Sequence, residues 1–141
     1  MRFITALIAT ALMSALPASA QESAGSTMSL ELNRATNSEN GSCQVIFFGQ
    51  NGSEQDFAEV EWRLAVLDAD GVFKNLLALP LGALSPGKRR VVQYNLPSAC
   101  EELSEIIVND VAKCTLADGS ESDACLKEIT VTSRAGIAFG L

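Results

Sequence analysis

Residues 59–68 read EVEWRLAVLD. Val60, Trp62, Leu64 and Val66 fall on one side of an extended chain, and Glu59, Glu61 and Arg63 fall on the other. A period of two is the signature of a half-buried strand, since a helix would group residues three and four apart. The apolar side is β-branched and aromatic, which suits a pleated, packed surface. Two residues on, Asp70-Gly71 supplies a turn, and VFKNLLAL (72–79) follows as a second extended run. The pair predicts a β-hairpin.

Working outward, the same grammar recurs. MSLELNRA (28–35) places Met28, Leu30 and Leu32 on one face, and CQVIFFG (43–49) is β-branched and aromatic. KRRVVQYNL (88–96) follows the turn Ser85-Pro86-Gly87, and SEIIVNDVA (104–112) and LKEITVTSR (126–134) complete the set. The segments between them hold Gly, Pro, Asn, Asp or Ser, each of which turns a chain for a steric reason. Helical periodicity is weak throughout, with room for one short turn at 98–104. Seven short strands predict an all-β fold, a seven-stranded immunoglobulin-like antiparallel β-sandwich with Trp62 on its third strand. A small β-barrel or a jelly roll is the alternative. A fold of this kind does not specify an activity.

The first twenty residues, MRFITALIATALMSALPASA, have a different logic. Arg2 is a positive start, residues 3–16 are almost wholly apolar, and Ala18-Ser19-Ala20 ends the run with small residues. This is the pattern of a secretory signal peptide cut between Ala20 and Gln21. Residues 3–16 are too few for the roughly 20 that span a bilayer. QESAGST (21–27) reads as a flexible leader, and 28–141 as a single domain. No cysteine follows the cut, so lipid attachment there is not expected. Losing Arg2 leaves nine of ten basic side chains against 17 acidic ones, a formal charge of −8. Such a chain is repelled by nucleic acid and anionic lipid. No membrane span is expected in the mature chain, whose place is the periplasm or the exterior.

Four cysteines in an exported domain predict two disulfides, with three pairings open. If successive strands alternate in direction, Cys43 and Cys100 lie at one pole, and Cys114 and Cys125 at the other. Neighbouring second and fifth strands, and neighbouring sixth and seventh strands, then predict pairing 43–100 with 114–125. The other pairings bridge opposite poles, beyond the usual Cα separation of about 4.4–6.8 Å.

The chemistry of a reaction centre is thin. The chain has no histidine, which removes Ser-His-Asp and Cys-His machinery. It has no C-x-x-C, so redox catalysis is not expected. The acidic loop CTLADGSESDAC (114–125) and the turn DADG (68–71) are the calcium candidates. Counted from Asp68, Gly71 falls at position 4 and Leu79 at 12, which breaks the EF-hand pattern. Glu59/Glu61 and Glu101/Glu102 are paired carboxylates that read as solvated surface. Asn109-Asp110 interrupts an apolar strand, and alternation turns only one of the two outward. Asn40 and Asn51 stand in N-G-S sequons, where Asn-Gly is first a turn former. No catalytic, cofactor-binding or metal-binding residue is assigned, and no cofactor is expected.

Contact residues are easier to name. Lys88, Arg89 and Arg90 form the basic cluster of an acidic chain. Charge there protects the start of an edge strand, or meets an acidic partner. Ile137, Phe139 and Leu141 alternate at the end, where they extend the last strand or add to a partner's sheet.

The signal peptide, the opening LEL, VLDADGVF, ALSPGKRRVVQYNLP and the paired cysteines together resemble a group of small, functionally unassigned bacterial periplasmic proteins. The resemblance implies a periplasmic, immunoglobulin-like sandwich in which Asp70, Gly71, Pro86 and Gly87 are turn positions and the cysteines are staples. It implies no activity. The expectation is a non-enzymatic module that binds or supports an unidentified envelope protein, or else a ligand- or calcium-binding module using the acidic loops, or a carboxylate-based enzyme.

Overall fold

The structure is a computed structural model that describes residues 28–141. The expected signal peptide and leader lie outside the described residues. Eight strands follow in order: β1 Met28–Asn37, β2 Cys43–Asn51, β3 Phe57–Asp68, β4 Phe73–Leu84, β5 Arg89–Leu96, β6 Leu103–Leu116, β7 Ile129–Ser133 and β8 Ala138–Gly140. A 3-10 turn at Cys100–Glu102 precedes β6, and a one-turn helix, α1, occupies Ala124–Lys127. The strands form two four-stranded sheets, β5-β2-β1-β7 and β4-β3-β6-β8. The expected all-β sandwich is therefore the fold. The β1–β2 and β3–β4 turns and the start of β6 share one pole, here the upper. The ends of β2, β4 and β6 share the lower one.

The alternation of 59–68 does what it promised. Val60, Trp62 and Leu64 are fully buried, and Glu59 and Arg63 face water. Met28, Leu30 and Leu32 meet them from β1, Val45 and Phe47 from β2, and Leu79, Leu81 and Leu84 from β4. This is one apolar core between two sheets, the arrangement that buries both inner faces at once. At Gly49 the sheets come so close that an added Cβ would lie 2.1 Å from Leu81 Cδ1. Asp70-Gly71 makes its turn, with Gly71 at φ +78°, and Asp68 Oδ1 accepts the amides of Asp70 and Val72.

Two expectations need correction. The seventh strand does not pair with the sixth. β7 runs parallel to β1 in the other sheet, and β8 then crosses over to run parallel to β6. Ser133 Oγ donates to the Ile137 carbonyl at 2.6 Å and fixes the turn between them. The reason is apolar burial: Ile137 is 2% exposed and Phe139 7%, with the Phe139 ring edge-on to Phe47 at 5.4 Å. The second correction concerns Asn109-Asp110. Arg63 faces Asp110 but Leu64 faces Val108, so Asn109 is an extra residue in a β-bulge. The bulge resets the alternation, and Asp110 turns outward to Arg63 at 2.7 Å.

The cysteines pair as the pole argument requires. Cys43–Cys100 closes the upper pole with Cα atoms 4.7 Å apart, and Cys114–Cys125 the lower with 6.1 Å. Cys125 meets β6 from α1, so the second bridge ties β6 to the crossover rather than to a paired strand. Two disulfides belong to an oxidising compartment. Among the described residues no helix is long and apolar enough to cross a membrane.

Candidate functional site

The outer face of β4-β3-β6-β8 divides into two fields. Its lower field is charged: Arg63 pairs with Asp110 at 2.7 Å, and Glu59 with Lys113 at 2.6 Å, all four about half exposed. Its upper field is apolar. Leu76, Ala65 and Ile107 lie directly opposite one another on β4, β3 and β6, and Leu67 lies opposite Phe73 in the next row. Phe73 is 56% exposed and Leu76 54%, while Ala65, Leu67 and Ile107 are half-buried beneath them. Cross-strand apolar neighbours on a wet face are a contiguous patch rather than scattered residues. Sequence reading missed this field, although a signal was present. Leu64-Ala65-Val66-Leu67 and Leu76-Leu77-Ala78-Leu79 are unbroken apolar runs, and a strand apolar on both faces has two surfaces to cover.

The basic cluster lies where the charge argument put it. Lys88 precedes β5, and Arg89 and Arg90 open it; β5 is an edge strand. Arg90 reaches across to donate to the Ala83 carbonyl of β4 at 3.2 Å. Arg89 makes no ion pair among the described residues and borders an open groove of about 240 Å³ on the outer face of the other sheet. Glu31, Asn33, Phe48 and Arg134 line the same groove. Glu31 accepts from Asn33 at 2.7 Å and from Arg134 at 2.9 Å, and those two bonds, in that order, hold its carboxyl below the ordinary glutamate range. Ile137 and Phe139, possible partner contacts or an extension of the last strand, are buried in the core.

Most of the acidic candidates have local partners. In the loop 118–123, Asp118 accepts the Ser120 amide at 2.9 Å, Glu121 accepts from Thr115 at 3.4 Å, and Asp123 pairs with Lys127. The Ser120 and Lys127 contacts hold the carboxyls of Asp118 and Asp123 low. Among the described residues no three His, Cys, Asp or Glu are grouped to hold a metal ion. Of the paired carboxylates, Glu59 is bound to Lys113, Glu101 accepts from Asn37 at 2.7 Å, and Glu102 accepts the Ala99 amide at 3.2 Å. Asn51 is no surface sequon. It is fully buried, donating to the Gln55 and Leu84 carbonyls at 2.7 and 3.0 Å and accepting the Ser53 amide at 2.9 Å.

No family model matches the chain, and no curated protein matches it. Among solved structures it is similar to IrmA from Escherichia coli, with 14% sequence identity and a TM-score of 0.52 over 74% of this chain and 89% of that one. At that identity the likeness speaks for the fold alone.

Proposed function

We propose that this chain is an exported, non-enzymatic β-sandwich of the bacterial periplasm that binds another envelope protein on the upper, outer face of β4-β3-β6-β8. The observation that carries the reading is the apolar row Leu76–Ala65–Ile107 with Phe73 beside it, set next to the ion-paired lower field of the same face. An apolar patch rimmed by charge is the composition of a protein-binding surface. Two disulfides support export, as does the sequence pattern of residues 1–20. The local partners of Glu101, Asp118 and Asp123, which hold those carboxyls low, support a binding role over carboxylate chemistry.

The test is site-specific photocrosslinking in living cells. A photoreactive residue at position 107, at the centre of the face, is compared with one at Thr132 on the other sheet. A discrete adduct to one envelope protein from position 107 only, lost on Leu67→Lys, supports the reading. Equal adducts from both positions, or none from 107, overturn it.

A further inference from the structure

The sandwich has four edge strands, and three are defended. β7 and β8 are short, at five and three residues, and the 134–137 turn joins them across their side of the molecule. β5 opens with Arg89 and Arg90 after Lys88. Short strands and edge charge are the usual protection against strand addition. β4 lacks both. It is twelve residues long, its one charged side chain is Lys74, and it exposes Phe73 and Leu76. Arg90 caps the Ala83 carbonyl at the lower end, and Pro80 has no N–H to offer. The open stretch is therefore 73–79.

The two ends of β4 carry opposite charge. At the upper end Asp68, Asp70, Glu101 and Glu102 line one concavity together with Lys74. At the lower end stand Lys88, Arg89 and Arg90. A chain of net charge −8 has every reason to repel its own kind. An antiparallel approach of two β4 strands reverses that: it lays each acidic corner beside the partner's basic corner, twice over by symmetry. A parallel approach would set like against like.

We propose that a second copy of this chain pairs with it edge to edge through residues 73–79 of β4. The contact is isologous, with the two-fold axis near Leu76 and the Lys88–Arg89 end of one copy beside Asp70 and Glu102 of the other. The two four-stranded sheets become one continuous eight-stranded sheet, whose backbone bonds fill both open edges. Lys88 and Arg89 thereby find their acidic partner in the same sequence. The outer apolar fields of both copies adjoin, so the pairing stands whether or not an envelope protein binds there.

The experiment uses the disulfide-intact mature chain, with mass measured by light scattering and sedimentation from micromolar to millimolar concentration. The expected result is twice the monomer mass, with dissociation strengthened by salt. Two charge-reversed variants sharpen it: Asp70→Lys with Glu102→Lys, and Lys88→Glu with Arg89→Glu. All four side chains are exposed, so folding is retained, and the melting temperature checks it. Each variant alone is expected to self-associate at least about tenfold more weakly, and an equimolar mixture to recover a heterodimer. Leu76→Lys is expected to abolish pairing in every combination. Monomer mass throughout overturns the proposal, and so does a dimer indifferent to these substitutions or variants that fail to pair when mixed. Crosslinking from position 107 reads the envelope partner separately, because Ile107 is two strands away from the β4 edge.

Discussion

The indole N–H of Trp62 donates to the carbonyl oxygen of Cys125 at 2.7 Å, in the buried interior. One residue is on the central strand β3, the other in α1 at the lower disulfide. The bond satisfies a carbonyl of a one-turn helix, whose last C=O groups have no partner of their own. It also tells the crossover where to sit.

Replacing Trp62 by Phe keeps an aromatic ring and removes the donor. The orphaned carbonyl costs about 1–3 kcal/mol, and the space left by the larger ring adds to it. A fall in the urea midpoint with unchanged slope is the expected readout. A loss below about 0.5 kcal/mol, the size of an indifferent surface change, would show that the bond does not matter.

Gly49→Ala tests how close the sheets stand. The new methyl falls on Leu81 Cδ1, a side chain fully held in the core. Overpacking of this kind costs about 1–3 kcal/mol. Leu81→Val in the same chain is expected to recover part of that loss, and a double-mutant cycle measures the coupling. Additive effects would refute the contact.

The disulfides differ in ring size, with sequence separations of 57 and 11. Chain-entropy reasoning assigns about 4 kcal/mol to the larger ring and about 3 to the smaller. Serine at Cys43 and Cys100 is therefore expected to destabilise more than serine at Cys114 and Cys125. The reverse order would mean that the lower bridge acts through the crossover rather than through ring closure.

Acid sensitivity follows from four carboxyls. Asn33 lowers Glu31, Asn37 lowers Glu101, Ser120 lowers Asp118 and Lys127 lowers Asp123. A depressed carboxyl binds fewer protons folded than unfolded. Its contribution is present above the unfolded value, about pH 4, and is lost as pH falls through the folded one. At the alkaline end Lys113 is raised by Glu59, and Tyr94 by burial. Those contributions are present below the unfolded values and are lost as pH climbs past about 10. Stability measured by chemical denaturation is expected to be flat between about pH 5 and 8, and Glu31→Gln to soften the acid limb. A transition near pH 6 would contradict this, since no histidine is present to titrate there.

Much of this architecture was written in local patterns. The β3 alternation, the Asp70-Gly71 and Pro86-Gly87 turns and the pole positions of the cysteines are all decided by neighbours in the chain, and they read correctly. The final strands were not legible. Ile137 and Phe139 alternate just as an adhesive edge would, and only the vacancy beside Phe47, far away in sequence, makes them core. The bulge at Asn109 was hidden for a related reason: it is set by what Arg63 and Leu64 face across the ladder. The apolar outer field was half legible, in runs whose surplus of hydrophobic residues had no inner face left to fill. Asn51 read as a surface turn because nothing nearby announces that Leu84 will offer its carbonyl.

The crossover of β7 and β8 also sets a schedule. Ribosomes deliver a chain from its first residue, yet β1 lacks its parallel neighbour, and β6 its own, until residues 129–140 have arrived. Neither sheet is complete before residues 129–140 are available. Such late, long-range closure is slow to form. Under the export proposed above, a strand order that closes late keeps the chain open until it has crossed.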